Sequence, residues 1–189
     1  MAKREWLRAG MALVLVLPAI AWSGAREDVD AAIARFAQAQ SFHASISTAG
    51  SPASETDFIA PDRYRMTLPD GRVQVVVDGT MYMRDGDAVQ RVQVPPEVLA
   101  RWRQRTGLSG LGAGMQATDL GEDVLDGASA RKYAITRPGE AAPAMTIWIG
   151  TAGYPLQVEA NGMAEGKPVT TTIRYSRFND PNLAITAPE

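Results

Sequence analysis

From Ser41 onward the chain alternates apolar and polar residues with a period of two, and turn dipeptides cut the alternation at short intervals. Phe42, Ala44 and Ile46 fall on one side of "FHASISTA", and Tyr64, Met66 and Leu68 on one side of "RYRMTL". Val73, Val75 and Val77 line one side of "RVQVVVD", and Met81 and Met83 one side of "TMYMR". This is the period of a strand with one face buried. The links "PDG" (Pro69 to Gly71), Asp78-Gly79 and "DGD" (Asp85 to Asp87) are short enough to force antiparallel hairpins. The pattern returns in "ARKYAITR", "AMTIWIG", "YPLQVEAN" and "KPVTTTIRYSRF" before the chain closes on "NLAITAPE". So many hairpin-linked strands must curl to bury their apolar face, which gives an α+β domain around one large antiparallel sheet.

Two segments carry a helical period instead. In "REDVDAAIARFAQAQ", Val29, Ile33, Phe36 and Ala37 recur on one side, which predicts an amphipathic helix from about Asp28 to Gln40, its acidic first turn suiting the helix dipole. "PPEVLARWRQRTG" predicts a short helix with proline at its start and Gly107 at its end, Val98, Leu99 and Trp102 facing inwards and Arg101, Arg103 and Arg105 outwards. The stretch that follows, Gly107 to Gly121, holds glycine at 107, 110, 112 and 114 and reads as a mobile loop or lid whose Leu108, Leu111 and Met115 fold onto the body. It lacks the strand-before, helix-after context and the Lys-Ser or Lys-Thr pair of a phosphate cradle.

The first 25 residues stand apart. Lys3, Arg4 and Arg8 make a basic region, "MALVLVLPAIAW" an apolar one, and small residues follow at Ala19 to Ala21 and at Ser23 to Ala25. This predicts a secretory signal cleaved after Ala25, with Ala21 the alternative, since the apolar run is short of the ~20 residues that cross a bilayer. Residues 26–189 are then a single soluble domain of the periplasm. The chain has no cysteine, so no lipid is attached at a mature N-terminal cysteine and no disulfide staples the fold. Removing the signal takes away three basic residues and one acidic, leaving 16 against 20. A mildly acidic chain without a basic cluster argues against nucleic acid as a partner.

Catalytic chemistry is sparse. His43 is the sole histidine, so neither a zinc cluster nor a cysteine–histidine pair can be built, and no metal or other cofactor is expected. A Ser–His–carboxylate triad would have to use His43, which reads as an ordinary polar-face residue beside Ser45 and Ser47. Glu122, Asp123 and Asp126 lie in a stretch rich in turn formers, where acids are expected anyway. The reading is of a non-enzymatic protein. What remains is apolar surface: Met66, Met81, Met83, Met115, Met145 and Met163 are spread along strands and loop, and methionine suits both cores and surfaces that accept variable apolar partners.

The succession "APDRYRM", "VVVDGTMYMR", "LGEDVLDGASARKYAIT", "MTIWIGTAGYPLQVEANG", "TTTIRYSRFNDP" and "ITAP" resembles the LolA/LolB-like superfamily of lipoprotein-carrier folds, which includes LppX/LprG-type lipid-binding proteins. The resemblance runs over nearly the whole of residues 26–189. It implies a half-open β-barrel whose concave side holds an apolar cavity covered by the N-terminal helix and the short helix and loop. It further implies a monomeric periplasmic binder or carrier of a lipid or an acylated lipoprotein, acting in outer-membrane biogenesis with envelope membrane proteins as further partners. The rival reading within the same resemblance is an RseB/MucB-type regulatory module that binds a partner protein, where a second domain usually follows.

Trp148 sits between Ile147 and Ile149, on the side of its strand where a one-sided surface strand would carry a polar residue. Its neighbourhood in the resemblance places it beside the cavity, with Met66, Met81, Met83, Trp102, Leu108, Leu111 and Met115 as the other candidate ligand contacts. Plain core packing is the alternative.

Overall fold

The structure, a computed structural model, describes residues 24–49, 51–85, 88–106, 114–164 and 166–188. The expected signal as far as Ser23, the expected turn at Gly86-Asp87, and the candidate contacts Leu108 and Leu111 lie outside the described residues.

The first half of the chain makes helix α1 (Ala25–Ala37) and strands β1 (Ser41–Thr48), β2 (Ser54–Ile59), β3 (Arg63–Thr67), β4 (Val73–Val77), β5 (Thr80–Asp85) and β6 (Ala88–Gln93). Helix α2 (Pro96–Thr106) leads to β7 (Gln116–Leu125), β8 (Ala128–Thr136), β9 (Met145–Gly150), β10 (Pro155–Ala164) and β11 (Lys167–Ser176). All eleven strands form one curved antiparallel sheet, ordered β6-β5-β4-β3-β2-β1-β11-β10-β9-β8-β7. Two meanders thus meet at a central seam between β1 and β11, with His43 opposite Ser176 and Ile46 opposite Ile173. Hairpin geometry follows from local chemistry. Asp78-Gly79 and Asp126-Gly127 each place two successive residues at positive φ (50° and 76°, 49° and 84°), the primed turn that matches the twist of the flanking strands.

Both helices lie on the same face of the sheet. Helix α1 starts behind Gly24, carries Glu27 and Asp28 in its first turn and Arg35 in its last, and buries Val29, Ala32, Ile33 and Phe36. Phe36 meets Phe42 and Tyr175 with ring centroids 4.9 Å apart in each case, and these rings join Tyr133, Ile135, Ile147 and Val158 in the larger core. The Tyr133 hydroxyl donates to Asp28 Oδ2 at 2.8 Å, tying the first turn of α1 to β8. Helix α2 lays Val98, Leu99 and Trp102 on Tyr64, Val76 and Met81. Phe58 belongs to both clusters, so one continuous apolar surface runs beneath the two helices. The opposite face is covered in part by the C-terminal segment. Ile185, 2 % exposed, packs on Val75 and Val77, and Arg65 donates to the Ala184 carbonyl at 3.0 Å.

Three expectations shift. Helix α1 runs from Ala25 to Ala37, about one turn earlier than the apolar spacing suggested, because Gly24, in extended conformation, sits ahead of the acidic turn. The alternation had missed β2 and β6. The stretch to Gly121 is not a loop throughout: from Gln116 the backbone is strand β7, paired with β8 from Gln116 opposite Thr136 to Leu125 opposite Ala128. Glu122 and Asp123 are therefore strand residues, and only Asp126 stands in a turn.

Candidate ligand cavity on the helix-covered face

Residues directly opposite one another in an antiparallel pair share a face, so the register sorts the candidate contacts. Two rows cross the helix-covered face of the first meander. Phe58, Tyr64, Val76, Met81 and Val92 make one, and Thr56, Met66, Gln74, Met83 and Gln90 the other. Helix α2 closes over Phe58, Tyr64, Val76 and Met81 of the first row and leaves Val92 exposed. Beneath and beside the helix lies a cavity of about 230 Å³ lined by Ile46, Tyr64, Met66, Leu68 and Trp102, with Thr56 and Glu55 among the polar contributors. The Tyr64 ring meets the Trp102 indole edge-on at 6.1 Å, so helix and strand clasp the inner wall through an aromatic pair. Thr56 is 6 % exposed and Tyr64 1 %, so hydroxyl groups are built into an otherwise aliphatic and aromatic wall.

The candidate residues divide among three places. Met66 and Trp102 line this cavity. Met81 packs against the same cluster, and Met83 sits one strand beyond Gln74, whose amide nitrogen lies 4.0 Å from its sulfur. Met115 is elsewhere: it precedes β7, packs under α1, and its carbonyl accepts from Arg26 at 2.5 Å. Trp148 is on the other face of the sheet. It pairs with Lys132 and Gln157, away from Ile147, which faces α1. It is 4 % exposed, its indole Nε1 donates to Asp123 Oδ2 at 2.8 Å, and Lys132 Nζ stands 4.6 Å from its ring centroid. This bond, first among the causes, holds the Asp123 carboxyl below its ordinary value, with the Val124 N–H assisting. The indole is thus a packed, hydrogen-bonded member of the outer face, separated from the cavity by the sheet itself.

Two further depressions carry charge. A groove of about 700 Å³ flanks α1, with Asp28, Arg35, Glu122 and Arg131 beside Val124 and Ile149. Here Arg131 pairs with Asp119 and holds that carboxyl below its usual range, while burial first and the bond to Asp28 second push the Tyr133 hydroxyl upward. On the outer face His43 stands between two carboxylates, Nδ1 at 2.8 Å from Asp57 and Nε2 at 3.0 Å from Glu55, and the Ser45 hydroxyl donates to Glu55 at 2.9 Å. Both ring nitrogens therefore face acids, and neither meets a serine hydroxyl as a nucleophile–base pair requires.

No family model and no curated protein sequence matches the chain. Among solved structures, the Mycobacterium tuberculosis lipoprotein LppX superposes with a TM-score of 0.64 at 16 % identity, covering 86 % of this chain and 98 % of that one. The chain has the LppX fold. LprF from Mycobacterium bovis matches equally, with a TM-score of 0.64, 16 % identity and coverage of 87 % and 96 %. The Pseudomonas aeruginosa MucA/MucB complex is a looser likeness, with a TM-score of 0.47 at 19 % identity over 56 % of that chain. In this chain the curved sheet and α2 leave the largely apolar cavity lined by Ile46, Tyr64, Met66, Leu68 and Trp102. Asp123, the partner of Trp148, reads from the sequence as a turn acid; it is instead a residue of β7, directly before Val124 and Leu125 at the end of that strand.

Proposed function

We propose that the protein is a non-enzymatic envelope binder or carrier of apolar ligands, which holds an acyl chain in the cavity between β1–β3 and α2. The observation that carries this reading is the cavity wall of Ile46, Tyr64, Met66, Leu68 and Trp102 under a helix, in a chain with the LppX fold. Its volume of about 230 Å³ is below the ~300–1,000 Å³ usual for drug-sized ligands, which favours one acyl chain at a time over a bulky multi-chain lipid. Met66, Met81 and Met83 supply flexible, polarisable side chains that adapt to chains of different length. The basic and apolar leader at residues 1–25 supports export, and no described helix is long and apolar enough to cross a membrane.

The test is native mass spectrometry of the processed protein isolated from its own envelope. A retained lipid or fatty acid of stoichiometric amount is expected. A protein released ligand-free and in a stoichiometric complex with another polypeptide would replace the carrier by a regulatory module.

A further inference from the structure

Charge is distributed unevenly along this chain, and the imbalance falls on the helix that closes the cavity. Residues 88–106, strand β6 through α2, hold four arginines (Arg91, Arg101, Arg103, Arg105) and one acid (Glu97), a net charge of +3; of these, Arg91 lies over the Tyr82 ring on the outer face and adds to the field rather than to the helix side. The rest of residues 26–189 holds twelve basic and nineteen acidic side chains, a net charge of −7. A segment of opposite sign to the body gives the molecule a directed field, which turns one end toward an anionic partner and the other away.

The segment is more than basic. Helix α2 spends its apolar stripe on the sheet, through Val98, Leu99 and Trp102, and Arg101 beside that stripe is exposed and pairs with no carboxylate among the described residues. On the same side of the sheet as α2, Val92 of edge strand β6 shares the helix-covered face with Met81 and is 45 % exposed. Basic side chains beside exposed apolar surface are what an interfacial element presents to anionic lipid.

From this juxtaposition we propose that β6 and α2 form a docking surface for an anionic phospholipid membrane, bringing the mouth of the cavity to the lipid surface where an acyl chain enters or leaves. The proposal rests on the carrier reading for its purpose but not for its physics. Attraction to the membrane depends on the arginines, whereas acyl binding depends on the cavity wall.

The experiment is sedimentation of the processed protein with vesicles of phosphatidylcholine alone and of phosphatidylcholine mixed with phosphatidylglycerol. Binding is expected only where phosphatidylglycerol is present and should weaken with added salt. The double variant Arg101→Glu/Arg105→Glu should lose roughly tenfold or more of the affinity. Arg137→Glu/Lys167→Glu, which changes net charge equally but lies outside the segment, should lose far less. Equal loss in both double variants, or loss in neither, overturns the proposal. Titration of a fluorescent fatty acid without vesicles keeps the two readings apart. Unchanged probe affinity in Arg101→Glu/Arg105→Glu confirms that docking alone was removed. Failure of the wild type to bind the probe while still sedimenting would end the acyl reading and leave the docking surface standing.

Discussion

The indole nitrogen of Trp148 on β9 reaches over β8 to Asp123 on β7 and donates a 2.8 Å hydrogen bond to its carboxylate, with Lys132 from the intervening strand above the ring. Three strands at the end of the sheet are thereby cross-linked on the face away from both helices. The contact answers what an aromatic does in the polar phase of an alternating strand: it packs the outer face and bonds an acid there.

Removal of the indole is therefore a stability experiment. Trp148→Ala should cost ~3–5 kcal/mol, the usual range for truncating a buried aromatic. Trp148→Phe keeps a smaller aromatic ring and loses the hydrogen bond, and should cost less than the alanine variant. Denaturant unfolding measures both, and fatty-acid affinity per folded molecule should be unchanged in each.

Acid should act on the same bond. The Asp123 carboxyl titrates below its ordinary value because of the Trp148 donor, so the contribution of the bond is complete above the unfolded-state pKa of ~3.9 and is lost as pH falls through the lower folded value. Trp148 emission should then change with a midpoint below ~3.9. In Asp123→Asn that step should vanish.

At the other helix, Tyr133→Phe takes away the hydroxyl that anchors Asp28 in the first turn of α1. A bond to a charged group contributes about 1.5–3 kcal/mol, and partial exposure of Asp28 places the expected loss at the lower end. Hydrogen exchange should rise in the first turn of α1 more than in β1, which the Phe36, Phe42 and Tyr175 cluster holds independently.

The cavity itself can be filled. Met66→Trp inserts an indole into the space beside Trp102 and should abolish fatty-acid binding at a cost of ~1–3 kcal/mol in stability, the range for overpacking. Circular dichroism with a denaturant series shows whether the fold stands, and probe titration shows whether the cavity is closed.

Much of this architecture was legible in the residue pattern, and the exceptions have physical causes. Strands β1, β3 and β5 show their alternation because one face meets the helices and the other is more open, whereas in β4 the alternating Val75 and Val77 lie on the outer face under Ile185 and Val76 between them faces the helices. Strand β2, "SETDFI", hides its inner row behind a serine and a threonine, since Thr56 is buried with its hydroxyl while only Phe58 is apolar on that face. Strand β7 is an edge. Its acids, and the bulge between Asp119 and Gly121, are features that blunt an exposed edge against pairing, and they are also what makes a segment read as loop. For Trp148 the alternation identified the anomaly without its orientation, because a period of two gives opposite faces but not which of them is concave. Its partner, 25 residues earlier, lay in the segment read as turns.

Residues 26–189 hold two tryptophans, and they stand on opposite faces: Trp102 at the cavity, Trp148 on the outer side. A fatty acid brominated along its chain quenches an indole only at close contact, so Trp148→Phe and Trp102→Phe each leave one reporter for one face. Titration of both single-tryptophan variants with the brominated acid should quench Trp102 in a saturable manner and leave Trp148 bright. Saturable quenching of Trp148, or an unquenched Trp102, would contradict a ligand held between the sheet and α2.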